Sequence, residues 1–144
     1  MQWDGKALSV FRQDSNAANG LLFDRGGRLV ACEGKSGRVT RTDMGTGAIT
    51  VLCDQFDGKP LGLPNDLAFD AAGRVVGGRG VGCHARGEVD PPGGNVNSVY
   101  RIDPDGRVTR VLHAPDIDMP NGLVTSPDDK ILYLVESDGR EGRK

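Results

Sequence analysis

Asn19-Gly20-Leu21-Leu22-Phe23-Asp24, Asn65-Asp66-Leu67-Ala68-Phe69-Asp70 and Asn121-Gly122-Leu123-Val124-Thr125-Ser126 are three copies of one motif. Each runs through a charged turn into a second apolar stretch: Gly27-Arg28-Leu29-Val30, Gly73-Arg74-Val75-Val76 and Asp129-Lys130-Ile131-Leu132. The copies begin 46 and 56 residues apart. A second half repeats as well. Val39-Thr40-Arg41-Thr42-Asp43 returns as Val99-Tyr100-Arg101-Ile102-Asp103, and a Gly-containing turn and a further apolar run follow each, at 48–52 and 107–112. One unit therefore holds four short runs with period-two alternation, bounded by Gly, Asp and Pro, which reads as four β-strands. No window sustains apolar spacing of three and four residues, so no long helix is predicted. Four strands in roughly 40–50 residues is the signature of a propeller blade. The predicted fold is all-β, a β-propeller; a sandwich with regular turns is the plainer alternative.

Composition agrees with a turn-rich β protein, and it excludes some function classes. The chain has 144 residues with 22 Gly and 8 Pro, and only 5% aromatic residues, so its core must be built from Val, Leu and Ile. A net charge of −2, with arginines scattered singly, argues against nucleic acid as a partner. The stretch Met1-Gln2-Trp3-Asp4-Gly5-Lys6 has no apolar signal core, and no apolar run approaches membrane-spanning length. These features predict a cytoplasmic protein without a membrane partner. Cys32, Cys53 and Cys83 are an odd count at no metal-binding spacing and read as reduced thiols.

The repeats divide residues 1–144 into parts of a ring: a last blade strand at 4–11, a blade at 19–52, a second at 65–112 and the start of another at 121–135. Propellers close with about 4–8 blades. About three blades leave two blade faces open, and each blade needs its neighbours to bury its faces. The expectation is a fragment, a truncated product, or a chain that completes its ring by self-association through the open faces.

The first strand of a propeller blade lines the central channel, so residues at its start converge from several blades. Asn19, Asn65 and Asn121 hold that place. An amide carbonyl is a neutral, hard oxygen donor of the kind Ca²⁺ accepts among about 6–8 ligands. Against this stands the simpler possibility that each Asn hydrogen-bonds its own turn, since Asn-Gly is a common turn pair.

Leu63-Pro64-Asn65-Asp66-Leu67, Met119-Pro120-Asn121-Gly122-Leu123 with Ser126-Pro127-Asp128, Ala31-Cys32-Glu33-Gly34 followed by Arg38-Val39-Thr40-Arg41, and Ser98-Val99-Tyr100-Arg101-Ile102-Asp103-Pro104-Asp105-Gly106 resemble the gluconolactonase/regucalcin (senescence marker protein) family. The resemblance covers nearly the whole chain except about residues 77–97. It implies a six-bladed propeller with one divalent metal, Ca²⁺ or Zn²⁺, in the channel. It also implies a hydrolase of sugar lactones, with phosphotriester cleavage in some relatives. A metal would polarise the carbonyl and orient a water, and a carboxylate would assist. By this resemblance Asn121 matches a metal ligand, and Asn65 matches an Asn touching metal or substrate. Asp66 and Glu33 fall near the channel mouth as candidate substrate contacts. The catalytic residue stays unassigned, because the family's acid/base Asp and its Glu ligand would both fall outside residues 1–144. A non-catalytic binding module with a vestigial site and a phosphotriesterase-like hydrolase are the alternatives.

The chain departs from the family between Val76 and Gly87, where glycines crowd what would be an inner strand. His84 has no companion ligand at Cys/His spacing and reads as a loop residue, while His113 ends a strand. The run 138–144 reads as a frayed polar tail.

Overall fold

The computed structural model describes residues 1–79, 97–117 and 119–137. The expectations for Cys83, His84, the glycine-rich stretch beyond Arg79 and the run 138–144 lie outside the described residues. Every described element is a strand, and all pairing is antiparallel. No helix long and apolar enough to cross a membrane is present among the described residues.

At the N-terminus, β1 (Gln2–Trp3) pairs with β2 (Leu8–Ser9). Then β3 (Ala18–Phe23), β4 (Leu29–Glu33), β5 (Arg38–Thr42) and β6 (Ile49–Cys53) form a four-stranded meander in sequence order. A small hairpin follows, β7 (Gln55–Phe56) with β8 (Lys59–Pro60). Its two-residue turn, Asp57-Gly58, has positive φ at both positions, as a tight hairpin requires. The second meander is β9 (Pro64–Phe69), β10 (Val75–Arg79), β11 (Ser98–Ile102) and β12 (Val108–His113). A last pair, β13 (Pro120–Thr125) and β14 (Leu132–Glu136), begins a third sheet.

The segment read as a single strand over 4–11 folds differently. Asp4 Oδ1 accepts the backbone N–H of Lys6 and of Ala7 at 2.8 Å each, and Gly5 takes φ +95. The chain therefore turns where a strand was expected, and Leu8–Ser9 pairs back on Gln2–Trp3.

One turn chemistry closes the sheets. Asp24 Oδ1 accepts N–H of Gly26 and Arg28, and Asp70 Oδ1 accepts N–H of Ala72 and Arg74. The glycine between, Gly27 or Gly73, sits at φ +71 or +76, in left-handed backbone that a Cβ disfavours. The side chain of Arg28 or Arg74 then pairs with the second oxygen of the same Asp.

Two cores lie between sheets. Val30, Cys32, Val39 and Cys53 of the first sheet pack with Leu61, Leu67, Val75, Tyr100 and Ile102. On the other face of the second sheet, Ala68, Val76 and Val99 pack with Ile117 and Leu123. Faces in contact, with the inner strands β3, β9 and β13 side by side, are the blade stacking of a propeller.

Candidate functional site

Each inner strand carries a bulge at its asparagine. In β3 the register runs from Ala18 opposite Glu33 to Leu21 opposite Ala31, leaving Asn19 and Gly20 against Cys32 alone. In β9, Pro64 faces Arg79 and Asp66 faces Gly78, so Asn65 is the extra residue. In β13, Pro120 faces Glu136 and Leu123 faces Leu134, so Asn121 and Gly122 share Val135. A bulge inserts one residue, bends the strand and re-aims its side chain. The three opening asparagines thus sit at three equivalent bends. The sequence analysis did not anticipate the bulges; the signal for them is the glycine directly after Asn19 and Asn121 inside a strand run.

The three asparagines differ in surroundings. Asn19 is exposed, Asn65 is only 5% exposed and Asn121 is intermediate. Among the described residues, none takes up the Asn65 carboxamide. The plainer possibility raised above, that each Asn bonds its own turn, finds no partner there.

Asp66 stands where the three inner strands meet. Its Oδ2 accepts the backbone N–H of Leu123 at 3.2 Å. A Cβ on Gly20 would lie 2.8 Å from its Oδ1, and a Cβ on Gly122 would lie 3.8 Å from its Oδ2. Gly20 is therefore obligatory for space: that Cβ would also meet the Asp66 Cα at 2.7 Å. Nearby, Thr125 Oγ1 donates to the Phe69 carbonyl at 2.9 Å. Asp66 so has a bond to make between blades, whatever else it touches.

Glu33 is placed otherwise than the sequence suggested. It is 0% exposed, and both carboxylate oxygens are taken. Oε1 accepts from the Arg12 guanidinium and from Thr40 Oγ1; Oε2 accepts from Asn16 Nδ2, Ser36 Oγ and Arg38 Nε. No face remains for a substrate contact, and the expectation of one is corrected: Glu33 is a buried ionic node joining the N-terminal segment to the first sheet. Burial pushes its carboxyl up, but Arg12, Arg38, Thr40 and Asn16 together hold it down, at about 2. Its partners Arg12 and Asn16 were not foreseen, because nothing local in the sequence pairs them with residue 33.

Cys32 and Cys53 are buried free thiols. Burial, and then the charge of Asp66, push the Cys32 thiol up to about 12, so it is neither a nucleophile nor an anionic ligand at neutral pH. His113 is exposed at the end of β12, with Nδ1 2.6 Å from the Ala114 carbonyl oxygen.

Asn65 and Asn121 could each offer a carbonyl oxygen to a hard cation. Among the described residues, no group of three His, Cys, Asp or Glu side chains could hold a metal ion. The described donors are therefore oxygen-only and uncharged: part of a cation site in chemistry, not a complete one.

Stacked four-stranded meanders with bent inner strands define a β-propeller with its polar inner-strand residues at one repeated position. The chain belongs to the SMP-30/gluconolactonase/LRE-like family, whose model matches residues 2–142. A gluconolactonase from Zymomonas mobilis is 31% identical over 133 residues, covering 84% of this chain and 34% of that protein. A solved Xanthomonas campestris gluconolactonase is 33% identical with a TM-score of 0.75, covering 85% of this chain and 41% of the other. Virginiamycin B lyase from Staphylococcus aureus, 19% identical with a TM-score of 0.60, shares the fold. The chain thus spans about a third of the curated relative and about two fifths of the solved gluconolactonase.

Proposed function

We propose that this chain carries the amide portion of the substrate site of a metal-dependent hydrolase acting on sugar lactones. One observation supports it above the rest: the inner strands bend at one repeated point, and there Asn65 lies buried with a carboxamide that no described residue takes up. A buried amide without a partner is costly unless something else meets it. In this reading Asn65 and Asn121 turn their carbonyl oxygens toward a divalent cation, Ca²⁺ or Zn²⁺. Their amide N–H₂ groups remain free to donate to lactone hydroxyls. Such a cation polarises the lactone carbonyl. Asp66 keeps β13 in place through Leu123 N–H and so holds the two asparagines in one relative position. The charged ligands a tight Ca²⁺ site needs must come from outside the described residues.

A second reading, a binding module without turnover, draws on the missing carboxylate cluster among the described residues. The two are separated by calorimetric titration with CaCl₂ and ZnCl₂ alongside a pH-stat assay of gluconolactone hydrolysis. The enzyme reading expects cation-dependent proton release that Asn65→Ala and Asn121→Ala abolish. Cation binding without hydrolysis supports the binding module, and hydrolysis indifferent to both substitutions sinks the assignment of these asparagines.

A further inference from the structure

Leu21, Leu67 and Leu123 each lie two residues beyond the motif asparagine. Leu67 and Leu123 are buried against the preceding sheet, whereas Leu21 is 55% exposed. The opposite faces repeat in the same way. Val30 pairs in register with Leu22, Val76 with Ala68 and Tyr133 with Val124. Val30 shares a core with Leu67, and Val76 shares one with Leu123. Tyr133, the third member, is 56% exposed. One contact is therefore made twice inside the chain, and its two halves stand unmade on the outer sheets: the Leu21 face and the Tyr133 face.

We infer that these faces meet between two copies of this chain. The Leu21 face of each copy takes the Tyr133 face of the other, in a closed head-to-tail pair. The internal blade contact supplies the template, since each side of the new contact is repeat-equivalent to a side already packed. Space exists for the larger ring of Tyr133: a cavity of about 300 Å³ is lined by Leu21, Phe23, Leu29 and Ala31 together with Met1 and Phe11 of the N-terminal segment. That segment does not do a blade's work, for Leu21 and Phe23 stay more than half exposed beneath it. Val124 and Val135 flank Tyr133 and are exposed as well. A contiguous apolar face of this kind marks an association surface, and a head-to-tail contact closes when its rotation permits.

Leu21 and Tyr133 are both exposed, so Leu21→Asp and Tyr133→Asp should leave the fold, read by far-UV circular dichroism, unchanged. Sedimentation equilibrium on the 144-residue chain should give twice the 15.3 kDa of one copy. Each variant alone should be monomeric, because both contacts of the pair contain the altered face. An equimolar mixture of the two variants should regain dimer, since one contact then joins two unaltered faces. That recovery is specific to a head-to-tail pair. A monomeric wild type, larger open assemblies, or a dimer sensitive to only one of the two substitutions would each overturn the inference.

Discussion

Replacing Glu33 by Gln tests the buried node on which the first sheet depends. The side chain keeps its shape and loses its charge, so Arg12 and Arg38 lose their counter-ion while Thr40, Asn16 and Ser36 meet an amide that cannot accept from all of them. The carboxyl is held at about 2 against an ordinary 4.5. At about 1.4 kcal/mol per pKa unit, that difference corresponds to about 3 kcal/mol of stability at pH 7. This lies at the low end of the cost of breaking a buried ion pair. The low end is reasonable because Arg12 and Arg38 keep 20% and 32% of their side-chain surface in water. The folded-state value is depressed, so the contribution is fully present above the unfolded value and fades as pH falls through the folded one. By linkage it shrinks to about 1.4 kcal/mol at pH 3. Urea unfolding followed by tryptophan fluorescence and circular dichroism should show a midpoint lower by roughly 1–2 M at pH 7 for Glu33→Gln. The gap to wild type should close progressively from about pH 4.5 toward pH 2. A gap under about 0.5 kcal/mol at pH 7, the scale of an ordinary surface substitution, would refute the node. So would a gap that stays constant down to pH 3.

Gly20→Ala should destabilise by about 2–3 kcal/mol, the upper range for overpacking, because the new Cβ meets backbone of β9 at 2.7 and 2.8 Å; an unchanged urea midpoint would mean the inner strands have slack. Gly73→Ala tests conformation without crowding, since nothing lies within 4 Å of its Cβ position at φ +76. The expected loss is about 1–2 kcal/mol, and a stabilised variant would contradict the turn geometry. Cys32 should resist iodoacetamide at pH 8 in the native chain and react in urea, read by peptide mass spectrometry; fast native labelling would count against its burial and raised thiol value.

The repeat was legible in the sequence because its turns use side-chain chemistry at fixed offsets. Asp24 and Asp70 each hold a glycine and an arginine in place, and both the spacing and the residue types show in one dimension. The N-terminal segment was not legible. Its apolar residues imitate a blade's last strand, but the Asp4 side chain and Gly5 build a turn there. Asn65 and Asn121 could be picked out by repetition, while their burial could not, since it follows from bulges in three strands and the approach of neighbouring sheets. Glu33 was misread for a related reason. It ends an apolar strand beside Gly34, as a channel-mouth residue would. Its neutralising partners Arg12 and Asn16 lie 21 and 17 residues away.

The node also accounts for a difference among the copies. In the second and third copies the residue before the bulged asparagine is proline, Pro64 or Pro120, whose ring fixes φ as the chain enters the bend. The first copy has Ala18 at that place, which imposes no such restriction. There the approach is instead bent through Asn16 and Ala17, both at φ +53, a conformation that disfavours residues with a Cβ. Three bonds hold that bend: Asn16 Nδ2 to Glu33, Lys35 N–H to the Asn16 carbonyl and Gly34 N–H to the Ala17 carbonyl. Ala18 is itself the register partner of Glu33. The first blade thus reaches by a buried carboxylate the constraint that the other two reach by a proline ring. It follows that Ala18→Pro should not substitute for Glu33, because the strain sits one and two residues earlier, at Asn16 and Ala17. A chain carrying both Glu33→Gln and Ala18→Pro should stay within about 0.5 kcal/mol of Glu33→Gln alone or fall below it. Recovery to wild-type stability would show that entry into the bend, not the charge, was what Glu33 secured.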